Sequence, residues 1–280
     1  MQWLLGIRFD LQIPWRRTIS ALACLMLASA AFGQTRPLND SGQITCYTNT
    51  ASTGAVSAGT PDPETAGFNE QDCTRGRSAA DAVGALPKLG ASSVPGRDYS
   101  KIANDGSDLP ASAVLGTGAG AWGCTRDNVT GLIWEIKTDD NGLRNVGHRY
   151  TWYDTNTAIN GGNAGTLGTS TTCNSTLSNC NTTAFRNSVN ALAGASRLCG
   201  QTDWRLPTAS ELQSLLHDGA FTPAIDGVYF PNTISNSYWS GVNSASNAGL
   251  AAWCVFFDDG FVDFNNKSGV SGVRLVRGGQ

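Results

Sequence analysis

From Trp122 onward the apolar residues of this chain come in runs of five to seven, bounded by turn residues such as Gly, Asn and Asp. "TGLIWEI", "YWSGV", "AAWCVFF", "GFVDF" and "GVRLVRG" are each the length of one short strand. Two segments break that texture with helical spacing. "TTAFRNSVNALAGASRLCG" places Phe185, Val189 and Leu192 on one face, begins with threonines able to cap it, and stops at Gly200. "TDWRLPTASELQSLL" carries the stronger start: Pro207 holds Leu206 extended, and Thr208 and Glu211 are spaced for a reciprocal capping box. Leu212, Leu215 and Leu216 would then face inward, with Gly219 ending the helix. On the extended approach Trp204 and Leu206 alternate with Arg205, so ring and Leu point to the core while Arg205 faces polar partners. From Trp122 onward the chain thus reads as short strands with two helices.

Residues 121–280 form this domain, and residues 34–120 precede it as a loop-rich arm of Gly, Ala, Ser, Pro and Asp, with a helical turn near "RSAADAVGAL". Gly118, Gly120 and Gly123 in "GTGAGAWG" have dinucleotide-loop spacing, but no strand precedes them and "CTRDN" rather than a helix follows. They read as a connector. Residues 1–33 read as a signal peptide: Arg16 and Arg17 precede the apolar "TISALACLMLA", and small residues follow. That run is too short for a permanent membrane helix, so no transmembrane anchor is expected in the mature chain. A lipoprotein reading with Cys24 acylated is weaker, because Ala21 stands where a Leu-like residue is usual. The expected destination is the periplasm, the cell surface or the medium.

Cleavage would remove Arg8, Arg16 and Arg17 from 19 basic residues and Asp10 from 22 acidic ones, leaving 16 against 21 and a net charge of −5. Nucleic acid is disfavoured as a partner. Seven of the eight cysteines remain, and export favours disulfides over zinc, since no CxxC occurs and His148 and His217 are the only histidines. Cys173 with Cys180 and Cys46 with Cys73 are the candidate pairs; Cys124, Cys199 and Cys254 are not paired by sequence alone.

The words "DNVTGLIWE", "YTWYD", "CGQTDWRLPTASELQSL", "YFPNT" followed by "YWSG", "AAWCVFFDDG" and "VRLVRGG" occur in order. Together they resemble the DUF1566 family, the Lcl C-terminal domain named for the Legionella collagen-like adhesin. The resemblance covers about residues 121 to 280. It implies a secreted or surface-associated bacterial module of the α+β fold class, a C-type-lectin-like domain of short antiparallel strands with two helices, and in the adhesin the domain is associated with sulfated glycosaminoglycans and trimeric assembly. "SGQITCYTNT" and "NEQD" are similar to the leader of some members. The chain departs from that adhesin in having no Gly-X-Y repeat and an acidic mature balance.

Chemistry is sparse. "GVSGV" around Ser271 misses a GxSxG elbow, and neither histidine sits in a relay context; both read as surface or helix-end residues, with His217 at a helix end that favours positive charge. Formylglycine-generating enzymes share the architecture but use reactive cysteines late in the domain, where only Cys254 stands here. No catalytic residue is assigned. Ligand-facing candidates cluster in "FFDDGFVDFNNKSG": Asp258, Asp259, Asp263, Asn265, Asn266 and Lys267, whose oxygens suit sugar hydroxyls or calcium. The plainer alternative is a hairpin with Asp259 and Gly260 in the turn and Phe261 packed inward. Trp134, Trp204, Arg205, Pro207, Thr208, Glu211, Trp239 and Trp253 are read as scaffold, although Trp239 and Trp253 could also serve as sugar platforms. Arg274 and Arg277 cannot share one strand face by strict alternation. No cofactor is required, with calcium the one ion the side chains would suit. The expected function is an exported binding or adhesion module for carbohydrate or a surface protein. A structural envelope component comes second and an enzyme third. Oligomerisation is left open.

Overall fold

A computed structural model describes residues 39–42, 76–245 and 249–278. The leader and the Cys46–Cys73 pair lie outside the described residues. The described strands, in chain order, are β1 (Tyr99–Ala103), β2 (Asp108–Leu109), β3 (Trp122–Asp127), β4 (Ile133–Glu135), β5 (Tyr150–Thr151), β6 (Ser237–Asn243), β7 (Ala251–Phe256), β8 (Val262–Asn266), β9 (Val270–Ser271) and β10 (Val276–Arg277). The helices are α1 (Arg77–Ala82), α2 (Thr182–Asn190) and α3 (Ala209–Gln213). One sheet runs β10-β4-β3-β1-β2, a second β6-β7-β8, and β5 pairs with β9; every pairing is antiparallel. With few short helices beside these sheets, the fold is α+β.

The boundary drawn at residue 121 falls inside one sheet. β1 and β2 come from the arm, and Tyr99, Ile102 and Ala103 are core residues. Sequence alternation missed β1 because Lys101 sits in it. Its ammonium is nevertheless buried, donating to the Ala113 carbonyl at 2.8 Å and lying 4.0 Å over the Trp122 ring. The arm is pinned further upstream: Asn39 donates to Asp127, and Asp40 accepts from Ser78 and from the Gly42 N–H. Gly123 lies within β3, as a dinucleotide glycine would not, with Asn104 packed where a Cβ would stand.

Both expected helices form and both are shorter than their spacing suggested. α2 is capped by Asn181, whose side chain accepts from the Ala184 N–H, rather than by the threonines. It ends at Asn190, and the chain continues through single 3-10 turns, leaving Leu192 only half-buried. α3 has the full Thr208–Glu211 capping box and buries Leu212, but it stops at Gln213 rather than Gly219. Arg97 explains the early stop: its guanidinium donates to the Ser214 and Leu216 carbonyls, satisfying groups a longer helix would have paired.

Two clusters form the core. Trp134, Tyr229, Phe230, Tyr238 and Phe257 with the α3 leucines make the first; Trp152, Phe185, Trp204 and Trp239 make the second. The buried indoles of the second find carbonyls: Trp239 to Tyr150 at 2.7 Å, Trp152 to Ser240 at 3.0 Å and Trp204 to Leu198 at 3.3 Å. Trp134, Trp204 and Trp239 are buried in these clusters, while Trp253 is half-buried and meets the Phe264 ring edge-on at 5.9 Å. Cys173–Cys180 is a disulfide, and Cys124–Cys199 is a second, tying β3 to the turn after α2; Cys254 is free and buried. Closing a loop of 75 residues is worth about 4 kcal/mol in the chain-entropy model.

His148 is buried rather than at the surface. Burial, then the nearby Arg97 guanidinium, holds the His217 imidazole below its ordinary value, which opposes the positive charge expected at that helix end.

Candidate functional site

Three separate segments of the sequence converge on one cleft. "YTWYD" supplies Trp152 and Asp154, "DWRLPTASE" supplies Arg205 to Thr208 and Glu211, and "YWSG" supplies Gly241. An inner lobe of about 140 Å³ and an outer lobe of about 340 Å³ share Arg205, Leu206 and Gly241 as common walls.

Local bonding explains the convergence. The Thr182 and Thr183 hydroxyls at the start of α2 both donate to the Tyr153 carbonyl, and the Tyr153 N–H donates back to Thr182. One turn later Arg186 therefore stands beside Asp154, Nη1 to Oδ2 at 3.5 Å. Arg205 exchanges backbone bonds with Val276 at 3.0 Å, which fixes its place beside β10. Its two Nη groups engage both Glu211 oxygens, at 2.8 and 2.6 Å, and also reach the Leu206 and Gly278 carbonyls. Burial pushes the Glu211 carboxyl up, but the Arg205 fork and the Thr208 N–H outweigh it and hold the group below the usual glutamate range. Gly241 donates to the Pro207 carbonyl at 2.7 Å, an approach that leaves a Cβ only 3.1 Å from Leu206 Cβ. A side chain at 241 would crowd Leu206, which lines both lobes.

The cleft is neutral overall, two guanidinium groups against two carboxylates. Ile159 and Val242 are exposed on its walls, and Thr182 and Thr208 add hydroxyls. Such a lining offers donors and acceptors to a polar ligand and apolar contact to its less polar face.

The hairpin residues singled out by sequence do not gather into one site. Asp259 is exposed in the β7–β8 turn, where its Oδ1 accepts from the Phe261 N–H. Asp258 is half-buried, and its carbonyl takes the Thr222 N–H at 2.8 Å. Asp263 stands opposite Cys254 and Asn265 opposite Ala252. Lys267 corrects the sequence reading outright. It is 2% exposed, donates to the Asn160 and Asn163 carbonyls at 2.8 and 2.7 Å, and lies 4.1 Å over Trp152, so it braces the fold instead of facing a ligand. Phe261, expected inward, is 60% exposed, because the turn carries it past the sheet. Among the described residues no group of three or more His, Cys, Asp or Glu is placed to hold a metal ion.

The C-terminal arginines do not make a basic stripe. Arg274 is fully buried, donating to the Glu135 carbonyl and the Thr233 hydroxyl, and Arg277 pairs with Asp203. Lys137 is buried against Glu135 at 2.9 Å. Sequence reasoning named Arg205, Pro207, Thr208 and Glu211 as scaffold without seeing that they also wall a cleft, and it passed over Asp154, Arg186 and Gly241. The usable signal was that separate segments each contributed polar or glycine residues.

No helix among the described residues is long and apolar enough to cross a membrane. No curated protein matches the chain. A family model described as the Lcl C-terminal domain matches residues 123–277, more than half of the sequence. The chain belongs to the Lcl C-terminal domain family.

Proposed function

We propose that this protein is an exported bacterial binding module of C-type-lectin-like architecture, acting at the envelope or outside the cell as an adhesin-like contact for carbohydrate or a surface protein. The observation that carries the reading is the convergence of three sequence words on one cleft whose charges are paired and whose walls are part apolar. Two disulfides in the described chain support an oxidising destination. A non-catalytic role is supported by the state of Cys254, the free thiol among the described residues: burial pushes it up to about 12, far from a reactive thiolate.

The test is binding of purified residues 34–280 to an array of neutral and sulfated glycans and of extracellular proteins, with and without calcium. Saturable, selective binding that R186A weakens supports the reading. A folded sample silent on every surface, yet self-associating, points instead to a structural envelope component. Dependence on calcium would overturn the placement in the cleft, whose contacts use no metal.

A further inference from the structure

The two arginines of the cleft are not equally engaged. Arg205 is spent: both Nη groups are held by Glu211 and by two carbonyls. Arg186 meets Asp154 through a single contact of 3.5 Å, well beyond the roughly 2.7–2.9 Å of a formed charge-assisted bond. Its Nε turns aside to Asn187 at 3.2 Å. Asp154 is also incompletely used, with one oxygen accepting the Asn156 N–H and the other facing the distant guanidinium. A donor fork and an acceptor therefore stand side by side in the inner lobe, each with capacity left. Beside them Leu206 and Ile159 form an apolar wall, and Val242 extends it into the outer lobe.

The ligand's charge follows from the same geometry. Each cation of the cleft has a carboxylate beside it. Elsewhere in the domain Lys101, Lys137, Lys267 and Arg274 are buried, and Arg277 is paired. Among the described residues no surplus positive charge lines the cleft to hold a polysulfated chain, whereas vicinal hydroxyls both donate and accept, as Asp154 and Arg186 require. We infer that the inner lobe binds one uncharged pyranose ring, adjacent hydroxyls bridging Arg186 and Asp154 while the ring's apolar face rests on Leu206 and Ile159. This rests on the proposed binding function and names its ligand class.

The test is titration of the purified protein with cellobiose, maltose, lactose and chitobiose, and with a heparin tetrasaccharide, at low and high salt. At least one neutral disaccharide should bind, with affinity insensitive to salt because no net charge is exchanged. R186A should weaken it about tenfold or more, and R186K, which keeps the charge and loses the fork, should restore only part. V242E blocks the outer lobe from an exposed position, so it checks the placement without relying on the α2 variants. Binding of heparin alone, with loss at high salt, overturns the inference and leaves the proposed function standing. Binding to a protein surface with no sugar bound does the same. Neutral sugar binding unchanged by R186A and V242E overturns the placement.

Discussion

The β7–β8 hairpin presents carboxylates, amides and aromatics within a few residues of sequence, whereas the Arg205 cleft gathers its charged groups from distant segments. In the cleft, polar groups from α2, the segment after β5, the α3 cap and β6 meet across long sequence separations. In the hairpin, Asp259 is left exposed in the turn, Asp263 and Asn265 share one face of β8, and Lys267 is drawn into the core. A local cluster of ligand-like residues is thus weaker evidence of a site than scattered residues held by a common scaffold.

The largest test of that contrast is Trp204→Ala. The indole is 1% exposed in the second core cluster, and its loss should cost about 3–5 kcal/mol in denaturant unfolding. A stable W204A that merely fails to bind ligand would make the Trp204 to Glu211 segment a site first and a scaffold second. Next comes Lys267→Ala. Removing it leaves two carbonyls without their donor and uncovers Trp152, an expected cost of about 2–3 kcal/mol. Asp259→Ala, on the same hairpin but exposed, should move the unfolding midpoint by under about 1 kcal/mol. Equal effects of the two would erase the distinction between brace and surface.

The smallest effect is a pH slope. The Glu211 carboxyl lies below its unfolded value, so the stability it contributes is present above about pH 4.5 and drains away as the pH falls through the folded value. Acid unfolding of E211Q should lack that portion of the slope, while R205A should flatten it in part. An unchanged acid limb in E211Q would mean that the Arg205 fork adds no stability to the cleft wall.

How much was legible follows from range. The α3 capping box is three residues wide, and Thr208, Glu211 and the inward leucines could be read directly. The Cys173–Cys180 bridge spans 7 positions and was equally plain, whereas Cys124–Cys199 spans 75 and could not be distinguished from its alternatives. Buried cations were the main blind spot. Lys101, Lys267 and Arg274 look like surface residues until distant carbonyls and rings are placed around them. Asp154 and Arg186 were invisible as a pair because the contact joining them runs through the hydroxyls at the start of α2.

β1 also separates two notions of a unit. The stretch that marks the family begins at residue 123, but the sheet it belongs to draws its outer strands from residues 99–109. A fragment cut at the family boundary would leave β3 with a bare edge of unpaired amides and carbonyls, an invitation to stack with other copies. What recurs as a sequence word and what can be lifted out as a soluble part are therefore different lengths of chain, and anyone grafting this domain onto another protein must carry the upstream strands with it.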